Sequence, residues 1–156
     1  MAIARRTRLD GVAATAFLAT LQATKQTMDI CIFTLTDDVV VNTILEAKSR
    51  GVKIRLISDD TQSKCLGADP YRLRDDHGIP VVTDHNVAHM HNKFAVLDGH
   101  VLITGSYNWT KAAHFNNNEN MIILNHAPTI KAYEQEFERL WHQFNDEERR
   151  GVRASQ

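Results

Sequence analysis

Apolar positions along this chain fall into short runs whose period changes as the sequence proceeds. From Asp10 to about Gln26, Val12, Phe17, Leu18 and Leu21 recur at near-helical spacing among good helix formers, which predicts a helix. Met28 to Leu35 is a short apolar run of the buried-strand type. Thr36 or Asp37 is placed to cap a second helix, with Val39, Val40, Ile44 and Leu45 on its buried side. Lys48, Arg50 and Gly51 end it, with cations at the negative pole and glycine past the end. Val52 to Ser58 then predicts a strand. Two strands joined through a helix in this way should run parallel.

The second half alternates faster. Asp59 to Gly67 reads as a polar loop, Asp69 to Asp76 as a short helix stopped by Gly78, and Ile79 to Thr83 as a strand. Asp84 to Ala88 leads into a strand beginning at His91, which pairs with Val101–Thr104 through a turn at Asp98-Gly99-His100. Lys111 to Asn118 is a polar connection, and Glu119 to Leu124 a closing strand. Pro128 opens the last helix, where Ile130, Tyr133, Phe137, Leu140, Trp141 and Phe144 form one apolar stripe. Glu147 to Gln156 reads as a frayed, charged tail. The expected fold class is α/β: a mixed β-sheet flanked by helices on both faces. Residues 1–156 are expected to form a single domain with a core spanning about 10–146, and no internal repeat is visible.

Composition narrows the picture. A hydrophobic content of 43% in 156 residues suits one globular core. No apolar run reaches the length of a membrane span, so no transmembrane segment is expected. The stretch Arg5-Arg6-Thr7-Arg8 soon meets Asp10 and makes a poor secretory signal, which leaves a cytoplasmic or organellar location. Asn108-Trp109-Thr110 is a formal glycosylation sequon that argues the same way, because a glycan there would block the candidate site described next. A formal charge of −1 weighs against tight non-specific binding of duplex nucleic acid by a basic stripe, but it leaves room for a locally basic cleft. Two cysteines, Cys31 and Cys65, make no disulfide framework and no zinc-binding pattern; Cys31, within an apolar strand, is expected to be a buried thiol.

The candidate chemistry lies between His91 and Glu119. Alternation along the first strand puts His91, Lys93, Ala95 and Leu97 on one face and Asn92, Phe94, Val96 and Asp98 on the other. An imidazole and an ammonium thus share a surface, while Asp98 points away and is assigned a structural role. The next strand delivers Ser106 and Asn108 from a glycine-containing turn, and the third begins at the Glu119 carboxylate. These are parts suited to phosphoryl transfer without a metal: a nucleophilic imidazole, a lysine to hold a phosphate oxygen, and hydrogen-bond donors beside it. His89-Met90-His91 places two histidines together without a third ligand, so no metal or cofactor is expected. His89 is read as lining the cleft, and Lys111 and His114 as contacts to a substrate backbone.

The run His91-x-Lys93, then Asp98, then Gly105-Ser106-x-Asn108, closed by Glu119, resembles the HKD motif of the phospholipase D superfamily at every defining position. The resemblance extends over roughly Met28 to Phe144. It is nearest to the single-motif branch, the bacterial Nuc-type endonucleases and the Zucchini-type mitochondrial phospholipase D-like proteins. It implies catalytic roles for His91, Lys93, Asn108, Ser106 and Glu119, with Glu119 orienting His91. The family uses two histidines, one attacking phosphorus and one protonating the leaving oxygen, and this chain carries one motif. The resemblance therefore implies a two-fold homodimer with the site at the interface. The function expected first is a metal-independent endonuclease cleaving single-stranded RNA or DNA through a covalent phosphohistidine. A phospholipid (cardiolipin) hydrolase with a mitochondrial association is the alternative, and a non-catalytic nucleic-acid-binding scaffold the second alternative.

Overall fold

The computed structural model describes the backbone at residues 2–3 and 11–154, and side chains over 13–147. Asp10 and the Arg5-Arg6-Thr7-Arg8 run lie outside the described residues. The elements follow in the order β1 (Ala2–Ile3), α1 (Gly11–Ala23), β2 (Thr27–Ile32), α2 (Asp38–Ser49), β3 (Lys53–Ser58), α3 (Asp60–Ser63), α4 (Pro70–Asp75), β4 (Val81–Thr83), β5 (Lys93–Leu97), β6 (Val101–Gly105), α5 (Lys111–Phe115), β7 (Met121–Leu124) and α6 (Ala127–Ala154). The strands form one seven-stranded mixed sheet in the order β1-β7-β6-β5-β2-β3-β4. The β2-α2-β3 unit pairs its strands in parallel, as its sequence predicts, whereas β5 runs antiparallel to both β2 and β6.

Alternation along the strands divides the interior into two cores. Met28, Ile30 and Ile32 of β2, Ile54 and Leu56 of β3, and Ala95 and Leu97 of β5 face a layer built with Phe17 and Leu21 of α1 and Val40, Val41 and Ile44 of α2. Cys31, Ile57, Phe94, Val96 and Leu102 face the other way, onto Ile130, Phe137, Leu140 and Phe144 of α6. The sheet therefore carries helices on both faces, with a single long helix covering the second. Arg55 fixes that helix from beneath. Its guanidinium donates to Asp29 at 2.8 Å and to Glu138 at 2.6 Å, and lies 4.8 Å from the Phe137 ring.

Three segments differ from the pattern-based expectation. The Asp59–Gly67 stretch contains a helical turn, α3, because the extended Asp59 accepts the Gln62 N–H at 2.9 Å and nucleates it. Thr110 does the same for α5 inside the polar connection, accepting the Ala113 N–H at 3.1 Å. The expected frayed tail instead continues α6 to Ala154. Side-chain ladders from Glu136 to Arg139 and from Gln143 to Glu147 run along it, and helix formers follow as far as Gly151. Strand β1 is a further difference. Two residues pair antiparallel with β7, too few to leave a periodic signature.

The β5–β6 turn shows what Asp98 does. Asp98 and Gly99 have φ of 53° and 64°, the positive pair that tight two-residue hairpin turns require, and His100 N–H closes the turn onto Leu97 at 2.9 Å. The Asp98 carboxylate points away from the strand face of Lys93 and accepts the backbone N–H groups of Lys25, Gln26 and Thr27 at 2.9, 2.7 and 2.9 Å. Partial burial works against its charge, but those three donors prevail and hold its pKa below the ordinary carboxylate value. It ties the α1–β2 corner to the far end of the strand that begins beside His91.

Candidate active site

The ends of β2, β3, β4 and β6 and the starts of β5 and β7 meet at one edge of the sheet, so the loops that follow or precede them surround a common surface. His91 and Asn92 lie just before β5, and the Asn92 carbonyl accepts the Phe33 N–H at 2.9 Å, locking this segment to the end of β2. Phe33 forms the floor. The His91 ring lies 4.5 Å from it, tilted by 59°, and the Lys93 ammonium sits over it at 4.9 Å. Lys93 Nζ also donates to the His91 carbonyl at 2.9 Å. The imidazole makes no hydrogen bond among the described residues. Desolvation, then the Lys93 charge and then His89, lower its pKa below the usual imidazole value. Burial likewise lowers the pKa of Lys93, while Glu119 and Cys31 pull it upward.

The segment after β6 is held from within. Tyr107 and Trp109 are buried, their rings 5.6 and 5.2 Å from Phe17. Trp109 N–H donates to the Thr34 carbonyl at 3.1 Å, and its own carbonyl accepts Thr36 N–H at 2.9 Å. Alternation then leaves Ser106 and Asn108 partly exposed between these anchors. Asn108 Oδ1 is buried and without a hydrogen-bond partner among the described residues. Oδ1 is an acceptor and calls for a donor, so it is the other end of the amide, Nδ2, that can donate to a bound phosphoryl oxygen.

Glu119 is placed differently from the expectation that it orients His91. Its carboxylate accepts the Ser106 hydroxyl and, at 3.0 Å, the Asn117 amide. The cause is the approach of β6 to β7: Ser106 N–H donates to Asn120 O, and Asn120 N–H to Ser106 Oγ, both at 3.0 Å. That register delivers the Ser106 hydroxyl to Glu119, so in this arrangement Ser106 donates its proton to the carboxylate and braces the loop. Lys111 and His114, expected to contact a substrate backbone, are turned toward acids at the start of α2. Lys111 pairs with Asp38 at 2.5 Å, and His114 Nδ1 lies 3.5 Å from Asp37. His89 packs edge-on against Phe33 at 5.3 Å, with Nδ1 3.0 Å from the buried Asp59. Phe33, Asp59 and Asn117 were not legible as site residues. Their partners lie far along the chain or depend on the exact register of β6 and β7.

A mixed sheet that gathers a histidine, a lysine and an asparagine amide at one edge has the architecture of a phospholipase D-type fold. The family described as cardiolipin synthase, PLD-like domain, matches residues 17–141, and the chain belongs to this phospholipase D superfamily. Among its relatives, a mitochondrial cardiolipin hydrolase of Chlamydomonas reinhardtii is 42% identical over 82% of this chain and 57% of its own length. The human mitochondrial cardiolipin hydrolase is 37% identical over 82% of this chain and 50% of its own. The chain thus spans about half the length of these curated relatives. Among solved structures, the phospholipase D family member Nuc of Salmonella typhimurium superposes with a TM-score of 0.77 at 25% identity, covering 84% of this chain and 88% of that one. NucT of Helicobacter pylori shares the fold, with a TM-score of 0.80 at 19% identity over 91% of this chain and 95% of its own. No helix among the described residues is long and apolar enough to cross a membrane.

Proposed function

We propose that this chain is a metal-independent phosphodiesterase that works as a two-fold homodimer and cleaves single-stranded nucleic acid through a phosphohistidine on His91. The observation that carries this reading is the shared floor of Phe33, which places the free imidazole of His91 beside the ammonium of Lys93. The lowered pKa favours the neutral form of the attacking imidazole. Its ring nitrogen attacks phosphorus, the bond to the leaving oxygen breaks, and the partner subunit's His91 gives that oxygen its proton. Water then attacks the phosphohistidine and loses a proton to the partner subunit's His91, releasing a phosphomonoester and restoring both imidazoles. Lys93 and Asn108 hold the non-bridging oxygens, the lysine supplying the charge that a metal supplies in other phosphoryl-transfer sites. A cleft shared by two subunits favours a single strand over a duplex.

A second reading, a phospholipid hydrolase, is favoured by one specific observation. The exposed apolar residues Val39, Leu66, Val87 and Phe115 all sit in segments at the same sheet edge as His91, where they could meet a lipid surface. The relatives named mitochondrial cardiolipin hydrolase belong with this reading, as does a mitochondrial association. Incubation with labelled single-stranded RNA, single-stranded DNA, duplex DNA and cardiolipin vesicles in excess EDTA separates the two. Single-strand cleavage that survives EDTA supports the proposal, turnover of lipid alone replaces it with the second reading, and dependence on added metal overturns both mechanisms.

The pH profile offers an independent check. Two histidines with opposite protonation requirements predict a bell-shaped kcat/KM, and the lowered pKa of His91 moves the acid limb below the imidazole norm of about 6.5. Lys93 is one cause of that lowering, so removing its charge makes the imidazolium easier to form. In Lys93→Met the acid limb should move to higher pH along with the loss of rate. A limb that stays in place or moves down would contradict the assignment.

A further inference from the structure

We propose that His89 forms a second phosphate subsite, holding the phosphodiester next to the scissile one on a single strand of nucleic acid. This rests on the reading of His91 as the nucleophile of a phosphodiesterase. The side chain is built for an outward role. Asp59 is 1% exposed; one carboxylate oxygen accepts the Gln62 N–H at 2.9 Å, and the other meets His89 Nδ1 at 3.0 Å. With Nδ1–H committed to this buried acid, the ring direction is fixed and Nε2 is the free nitrogen. The His89 side chain is 55% exposed, although its partner is sealed in the core.

Its location supplies the ligand chemistry. His89 packs on the same Phe33 ring as His91, and the Lys93 ammonium lies over that ring too. Three groups that carry or acquire positive charge thus crowd one aromatic floor, and His89 and Lys93 both disfavour the His91 imidazolium. Asp59 offsets part of this crowding at His91, and Glu119 part of it at Lys93, but neither acid turns a free oxygen toward the cleft in front of His89. Both Asp59 oxygens are bonded, and the Asp84 carboxylate is taken up by the N–H groups of Asp60 and Met90. One scissile phosphodiester brings a single negative charge, which Lys93 and Asn108 already serve. In the proposed complex both ring nitrogens donate, Nδ1–H to Asp59 and Nε2–H outward to the next phosphate along the strand.

The test compares a dinucleotide, which has one phosphodiester, with a single-stranded oligonucleotide that contains it. His89→Ala should raise the ratio of the oligonucleotide KM to the dinucleotide KM about tenfold, the loss of one charge-assisted hydrogen bond; any effect of His89 on the His91 imidazole acts on both substrates alike and cancels in this ratio. The dependence of log KM on log salt should flatten by about 0.7 for the oligonucleotide, one phosphate contact on a single strand. His89→Gln, whose amide nitrogen reaches toward the position of Nε2, should recover part of the affinity, and unchanged thermal unfolding of both variants shows that folding is not the cause. Equal losses on both substrates, or no change on either, would overturn the proposal. So would a loss confined to cardiolipin, whose headgroup also carries two phosphates. His91→Ala, run alongside, keeps the two ideas separate: cleavage that persists in it defeats the nucleophile assignment itself, whatever His89 does.

Discussion

Replacing His91 with alanine should reduce phosphodiester cleavage by at least about four orders of magnitude and leave the stability of the fold nearly unchanged. Both halves of that expectation come from the same geometry. The imidazole is exposed, rests against Phe33 and makes no hydrogen bond among the described residues, so its removal opens no cavity and strands no buried donor. The Lys93 bond is to the His91 carbonyl, which alanine keeps. If the chain is the nucleophile-bearing half of a dimer, a mixed dimer of one native and one His91→Ala subunit should be as inactive as the double variant. In that mixed dimer, each possible reaction lacks either its attacking or its proton-donating imidazole. Tagged co-expression, two-step purification and single-turnover measurement would check this, and half activity in the mixed dimer would show that each subunit works alone.

Gly105→Ala should have the opposite signature, a loss of about 3 kcal/mol of stability or more, read as a drop in melting temperature together with loss of activity. Gly105 has φ of 155°, within the region that side chains rarely adopt, and an added Cβ would stand 2.1 Å from the Asn120 carbonyl oxygen. That oxygen belongs to the β6–β7 pairing that also sets Ser106 against Glu119. The strands must move apart to admit a methyl group, because backbone is all that the methyl meets. An alanine variant with native melting and native rate would show that the close approach is not needed.

Much of this was legible in the sequence. The β2-α2-β3 unit announces itself through buried-strand runs, a capping Asp37 and a terminating Gly51, all of them local signals. Alternation correctly separates Ala95 and Leu97 from Phe94 and Val96. The short helices α3 and α5 escape because a single turn cannot show a 3.6-residue period. Their caps, Asp59 and Thr110, are visible only as ordinary polar residues. The pairing of Glu119 with Ser106 and Asn117 escapes for another reason. A motif gives spacing along the chain, whereas the partner of a carboxylate is decided by the register of two strands that the spacing does not fix. Phe33 lies outside the motif, 58 positions before His91, and becomes the floor of the site only because β2 and β5 are neighbours.

The position of Asp98 has a consequence for reading degenerate relatives of this chain. It lies at the opposite end of β5 from His91, roughly 20 Å away for a stretch of this length, anchored to the amides of Lys25, Gln26 and Thr27. One signature thus reports on two separable properties. A sequence that loses only this aspartate should be suspected of a loosened corner, sensitive to temperature, yet still equipped for chemistry. One that keeps it while losing the histidine would be a sound scaffold with its reaction switched off.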